Sequence, residues 1–175
     1  MDIVRLKPAQ WPLWRNRLLH FAQRYGDRRL TAGGLRALIA AGGGSALPLA
    51  APVAPPSSPF AAVIAHQDGK LLGFAFAADS GRSACLVAVH PNARSQGVGH
   101  ALICGLIDHF GGLCCHVASD NPASLRLFFK AGLKAVALEE GPTGKPTLLL
   151  QTDGFGQGLR RRETPSQTAS STSVT

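Results

Sequence analysis

Between an apolar run ending at Val89 and another opening at Val98, the chain places His90, Pro91, Asn92, Ala93, Arg94, Ser95, Gln96 and Gly97, and a second glycine follows at Gly99. Glycine costs a helix interior about 1 kcal/mol relative to alanine, so two of them at a helix start need a reason. Backbone N–H groups at a helix N-terminus attract anions, and a missing side chain lets a phosphate approach them. The stretch therefore reads as a phosphate cradle between a strand and a helix, or as an ordinary strand-to-helix turn. Either way it fixes a β-turn-α unit in mid-chain.

The rest of the sequence builds around that unit. Residues 2–7 predict a first strand, Gln10 to Tyr25 an amphipathic helix with Pro12 tolerated in its first turn, and Thr31 caps a second helix reaching Ala41. Residues 42–59, GGGSALPLAAPVAPPSSP, have no period and predict a flexible loop inside the domain. Phe60 to His66 and Lys70 to Ala78 are apolar runs joined by Gln67-Asp68-Gly69, a hairpin signal, and Ser83 to Val89 is the next strand. Val98 to Phe110 carries apolar residues at helical spacing. Leu113 to Ala118 predicts a strand and Pro122 to Ala131 a helix capped by Asn121 and stopped by Gly132. Leu133 to Leu138 and Thr147 to Gln151 are the last strands. Residues 153–175 hold few large apolar groups and predict a disordered tail. The expectation is one α+β (mixed α/β) domain over residues 1–152, with six or seven strands in a mixed sheet and about four helices.

Composition narrows the function classes. No apolar run reaches the roughly 18 residues that span a bilayer, and the start MDIVRLKPAQ lacks a signal-type apolar segment. The expectation is a cytoplasmic protein without membrane partners. Cys85, Cys104, Cys114 and Cys115 form no Cys-x-x-Cys pair, and adjacent cysteines on a strand point to opposite faces, so they predict buried free thiols and no metal site. The net charge is +8, and residues 1–36 hold eight Arg/Lys against Asp2 and Asp27. These basic residues alternate with Trp14, Leu18, Phe21 and Tyr25 at helical spacing, the pattern of a solvated helix face. A nucleic-acid-binding reading would rest only on this segment and Arg160 to Arg162, without aromatics interleaved on an open sheet.

Taken with its surroundings, the opening motif becomes more specific. Arg94-Ser95-Gln96-Gly97-Val98-Gly99 fits Arg/Gln-x-x-Gly-x-Gly/Ala, follows the strand LVAVHP, and precedes NPASLRLFFKAGL, Asn121 to Leu133, some 20 residues on. Together these resemble the GNAT superfamily of acetyl-coenzyme A-dependent N-acetyltransferases, over about Phe60 to Gln151 by motif and over residues 1–41 by topology. The pattern differs from the Gly-x-Gly-x-x-Gly of a dinucleotide site and lacks the Gly-Lys-Ser/Thr of a P-loop.

The resemblance implies that Arg94, Ser95, Gln96, Gly97, Val98, Gly99 and His100 hold the coenzyme A pyrophosphate on backbone N–H groups. It implies that Leu86, Val87, Ala88 and Val89 run beside the pantetheine arm, which enters where this strand splays from its neighbour. A backbone N–H near Val87 would be the oxyanion donor, and Asn121 would face the cofactor. Two groups common in the family are missing. Phe128 stands where many members place a tyrosine acid, and no acid lies between Asp79 and Val89 to serve as base. His116 and His90 are the replacement proton acceptors, while Glu139 and Glu140 read as solvated loop acids. Trp11 and Trp14 read as helix core. The implied activity is transfer of an acetyl group to an amine-bearing acceptor, a small molecule or a peptide N-terminus, by a monomer or homodimer. The alternative is an acyl-coenzyme A-binding sensor that kept the cradle and lost the chemistry.

Overall fold

The computed structural model describes residues 1–27, 30–41, 60–142 and 144–155. The loop expected over residues 42–59 lies outside these. So does residue 156 onward of the expected tail. The strands are β1 (Asp2–Arg5), β2 (Phe60–Gln67), β3 (Lys70–Ala78), β4 (Ala84–Val89), β5 (Cys114–Ala118), β6 (Lys134–Glu140) and β7 (Pro146–Gln151). The helices are α1 (Trp11–Tyr25), α2 (Ala32–Ala40), α3 (Val98–Phe110) and α4 (Pro122–Lys130). These are the seven strands and four helices expected of an α+β protein. They fall in two antiparallel sheets, ordered β1-β2-β3-β4 and β5-β7-β6. A single sheet would pair β4 with β5 in parallel across the α3 crossover, and no ladder joins them among the described residues.

Period-two alternation decides which layer each strand residue meets. Ala62 and Ile64 of β2, Phe74 and Phe76 of β3, and Leu86 and Ala88 of β4 pack under α1 and α2 with Trp11, Leu18 and Leu38. Val63, Ala65, Ala75 and Ala77 face the other way, against Leu102, Ile103 and Leu106 of α3. That second core continues through Cys115, Val117 and Leu150 to Phe128 of α4, so α3 and α4 cover one face of both sheets. Trp11 is core, as expected: its ring lies 4.9 Å from Phe60 and 5.8 Å from Phe76, and its indole N–H donates to the Ala41 carbonyl.

Local chemistry explains the element ends. Asp68 and Gly69 both have positive φ (50° and 73°), the backbone of a tight two-residue hairpin turn. The Thr31 hydroxyl accepts from the Gly34 N–H at 3.1 Å, and Asn121 Oδ1 accepts from the Ser124 N–H at 3.2 Å with Pro122 in the first turn. Two boundaries differ from expectation. β1 stops at Arg5 because Pro8 opens a 3-10 turn. β6 runs to Glu140, since Glu139 pairs with Thr147 and Glu140 with Pro146. Glu139 and Glu140 are therefore strand residues and not loop acids. The chain also stays packed beyond Thr152: Lys134 Nζ lies 2.8 Å from Asp153 Oδ2, and the Arg82 guanidinium sits 4.8 Å from the Phe155 ring centroid.

The two sheets meet at Gly81. Its φ is +91°, and a Cβ there would lie 2.0 Å from the Cys114 carbonyl oxygen. Neither the conformation nor the space admits a side chain. Gly81→Ala is expected to destabilise the fold by about 3 kcal/mol or more, combining positive-φ strain with overpacking. Chemical denaturation would read the loss as a lower midpoint.

Candidate active site

β4 carries one unpaired edge. The His90 N–H donates to the Leu72 carbonyl at 2.7 Å, in register with the Phe74–Ala88 and Phe76–Leu86 pairs. In an antiparallel ladder directly opposed residues alternate between bonded and non-bonded pairs. The even-numbered residues of β4 therefore bond β3, and Cys85, Val87 and Val89 turn their N–H and C=O groups toward β5. Among the described residues no ladder receives them, and of these groups the Val89 carbonyl accepts from the Arg94 side chain. The strands do touch at their lower end, where the Cys85 thiol neighbours that of Cys115. The interaction with Cys85, together with burial, pushes the Cys115 pKa up and keeps the thiol neutral. All four cysteines are free, with Cys114 and Cys115 buried and Cys85 and Cys104 half-buried. Among the described residues no cluster of three or more His, Cys, Asp or Glu could hold a metal ion.

At the upper end of β4 the chain enters the glycine turn. Ser95 and Gly97 both take positive φ (62° and 81°), so the backbone reverses twice before α3 begins at Val98. The first bond of the helix runs from the Ala101 N–H to the Gly97 carbonyl at 3.0 Å. The N–H groups of Val98, Gly99 and His100 belong to the helix start, which leaves them without intrahelical acceptors. The helix dipole adds partial positive charge there. A Cβ on Gly97 would meet nothing within 4 Å, so this glycine opens onto free space. Gly99 has a different reason. A Cβ there would lie 3.3 Å from both Leu127 methyl carbons and 3.6 Å from Val89, so Gly99 lets α3 approach α4 and does not itself make room for a phosphate.

The side chains of the turn are bound to the protein. Arg94 Nε donates to the Val89 carbonyl at 3.2 Å, and its Nη2 reaches the Tyr25 carbonyl at 3.2 Å and Asp27 Oδ2 at 2.9 Å. The guanidinium thus ties the turn to the end of α1. Gln96 Nε2 donates to the Asn92 carbonyl at 2.7 Å. His90 Nδ1 accepts from the Asn92 N–H, and its ring lies 4.6 Å from that of Tyr25. Val98 is buried in the core, and the His100 ring turns to Cys104 Sγ at 3.8 Å. What the turn offers an anion is its backbone, with the side chains as scaffold.

Of the proton-handling candidates, Phe128 is buried under α3 with Leu133 and Leu150, and its carbonyl accepts from the Leu133 N–H at 3.1 Å. His116 faces away from that core. Its neighbours Cys115 and Val117 point under α3 and α4, so His116 projects from the opposite face of β5. There its Nε2 lies 3.2 Å from Glu139 Oε2 of β6, the two side chains meeting over β7. Sequence reading missed this pair, because nothing in the spacing of residues 116 and 139 shows that β7 places them on one face. Asn121 caps α4 just beyond the end of β5.

β4, the edge strand of its four-stranded sheet, thus leads directly into the glycine turn that opens α3. Residues 59–132 match the model of the acetyltransferase (GNAT) domain. No curated protein matches the chain by sequence. Among solved structures, Arabidopsis thaliana NAA60 in complex with acetyl-CoA is 14% identical, with a TM-score of 0.58 over 89% of this chain and 99% of that one. A spermidine N-acetyltransferase variant from Vibrio cholerae is 12% identical, with a TM-score of 0.54 over 87% and 94%. The aminoglycoside acetyltransferase AAC(6')-Ib in complex with coenzyme A and kanamycin is 14% identical, with a TM-score of 0.51 over 93% and 100%. At these identities the likenesses concern the fold. The family match covers less than half of the chain, and the fold is the one these acetyltransferase structures share.

Proposed function

We propose that the chain transfers an acetyl group from acetyl-coenzyme A to a primary amine by direct attack. The observation that carries this reading is the unpaired edge of β4 leading into the Gly97 turn. Buried backbone N–H and C=O groups need partners, and the pantetheine arm, with its two amides, is a strand-like partner of the right chemistry. It would pair with the Val87 carbonyl and the Val89 N–H, leaving the Val87 N–H for the thioester, while the pyrophosphate sits on the Val98, Gly99 and His100 N–H groups. A solved neighbour with acetyl-CoA bound and another with coenzyme A bound support the cofactor.

Acetyl-coenzyme A supplies the thioester. The protein's part is to place and stabilise. The Val87 N–H donates to the carbonyl oxygen as charge gathers on it. His116, on the edge strand of the second sheet, accepts the amine's proton through a water. Phe128 offers no proton to the leaving sulfur, and none is needed, because a thiol with a pKa of about 8.5 departs readily as thiolate. General-acid help is typically worth about 10²- to 10⁴-fold, so the expected enzyme is slow but competent.

Release of free thiol from acetyl-coenzyme A, followed across a panel of amines, tests the reading. Thiol release that depends on an amine is expected. Tight acetyl-coenzyme A binding with no turnover on any amine would replace this reading with the sensor, and absence of binding would remove both.

A further inference from the structure

We infer that Glu139 is a positioning residue for the proton acceptor, holding His116 in the tautomer and orientation that leave Nδ1 free for the amine's proton. The inference rests on the acetyl-transfer reading and deepens it. Three observations carry it. β5 alternates so that His116 stands on the face opposite α3 and α4. β7 separates β5 from β6, and its pairing sets His116 opposite Leu149 and Glu139 opposite Thr147, all on that same face. The imidazole Nε2 lies 3.2 Å from Glu139 Oε2.

A carboxylate is an acceptor only, so it requires a hydrogen on Nε2. With the hydrogen there, the neutral ring has its lone pair on Nδ1. The sequence of events then balances. The amine nitrogen forms the C–N bond and the C–S bond breaks. The amine proton passes through water to Nδ1. The imidazolium keeps its Nε2–H on Glu139, and the thiolate is protonated from solvent as His116 returns its proton there. The other titratable groups near this face are compatible with that role. Burial pushes the Cys114 pKa up, and this thiol accepts a hydrogen bond from Gln151 Nε2 at 3.7 Å. Arg82 lies on Phe155, and Lys145 pairs with Asp120 beyond the end of β5.

The pair is roughly half exposed, 46% for His116 and 48% for Glu139, which limits the expected effect. Exposed ion pairs are worth little, so Glu139→Ala should lower kcat by about fivefold, while His116→Ala should lower it by about 10²-fold as a lost general base does. The KM for acetyl-coenzyme A should stay unchanged in both, since neither residue touches the cradle. Glu139→Gln keeps an acceptor oxygen for Nε2–H and should recover most of the kcat lost in Glu139→Ala. Added imidazole should restore turnover to His116→Ala but not to Glu139→Ala. A wild-type enzyme that turns over while Glu139→Ala matches it in kcat would overturn the inference and leave acetyl transfer standing. So would a Glu139→Gln variant as slow as Glu139→Ala. No turnover by the wild type on any amine would end both.

Discussion

Gly97→Val is expected to cost the protein most of its affinity for coenzyme A while leaving it folded. Two independent facts place the effect in the turn. The residue sits at φ +81°, where a β-branched side chain is strained by about 1–3 kcal/mol. The added atoms would also project into open space beside the helix start, with no protein atom within 4 Å of the Cβ. Strain of that size, relieved by moving the turn, corresponds to a loss of roughly 5- to 150-fold in affinity. Calorimetric titration with coenzyme A reads it directly. The same strain lowers Tm by a few degrees for a chain of this size. Gly99→Val supplies the contrast, since its side chain would drive into Leu127. Its main result should be a looser α3–α4 contact and lower stability, by about 1–3 kcal/mol. Coenzyme A affinity unchanged in a folded Gly97→Val variant would remove the cradle.

The difference between the two glycines shows what the sequence could and could not convey. The strand, the turn and the helix around Arg94 to Gly99 were legible because each rests on local chemistry. Period-two apolar runs, Pro91, a glycine needing positive φ and the 3.6-residue spacing of α3 all act within a few residues. The hairpin at Asp68-Gly69 and the caps at Thr31 and Asn121 were legible for the same reason. The reason for Gly99 was not, because Leu127 meets it only after β5 has crossed and returned as α4. Glu139 was misplaced likewise. Its strand extends only because Thr147 is there to pair with it, and its partner His116 lies two strands away. Arg94 was legible as a motif residue but not as a clamp on Tyr25 and Asp27, which precede it by nearly 70 residues. Long-range pairing sets the site's side chains, and periodicity carries no information about it.

The absence of a carboxylate base on β4 leads to the second large effect, which concerns the choice of acceptor. The attacking amine must be neutral. At pH 7 an α-amino group with a pKa up to about 8.0 loses its proton for about 1.4 kcal/mol, whereas a lysine side chain at about 10.4 needs roughly 4.6 kcal/mol. The gap of about 3 kcal/mol is some 10²-fold in the population of the reactive form. A strong base buried beside the acceptor could close that gap, but His116 and Glu139 are half exposed, so the site leaves most of that cost to the acceptor. Peptide N-termini and amino sugars of similar pKa should therefore be acetylated about 10²-fold faster than lysine side chains at pH 7. Turnover should rise with pH through the acceptor's own pKa and then level off, so amines of different pKa should give profiles displaced from one another by that difference. Competition between an α-amine and an ε-amine on one peptide, with the products separated by mass spectrometry, measures the ratio. A preference for the ε-amine at pH 7 would mean that a buried base lies close to the acceptor, and that His116 does not carry the proton.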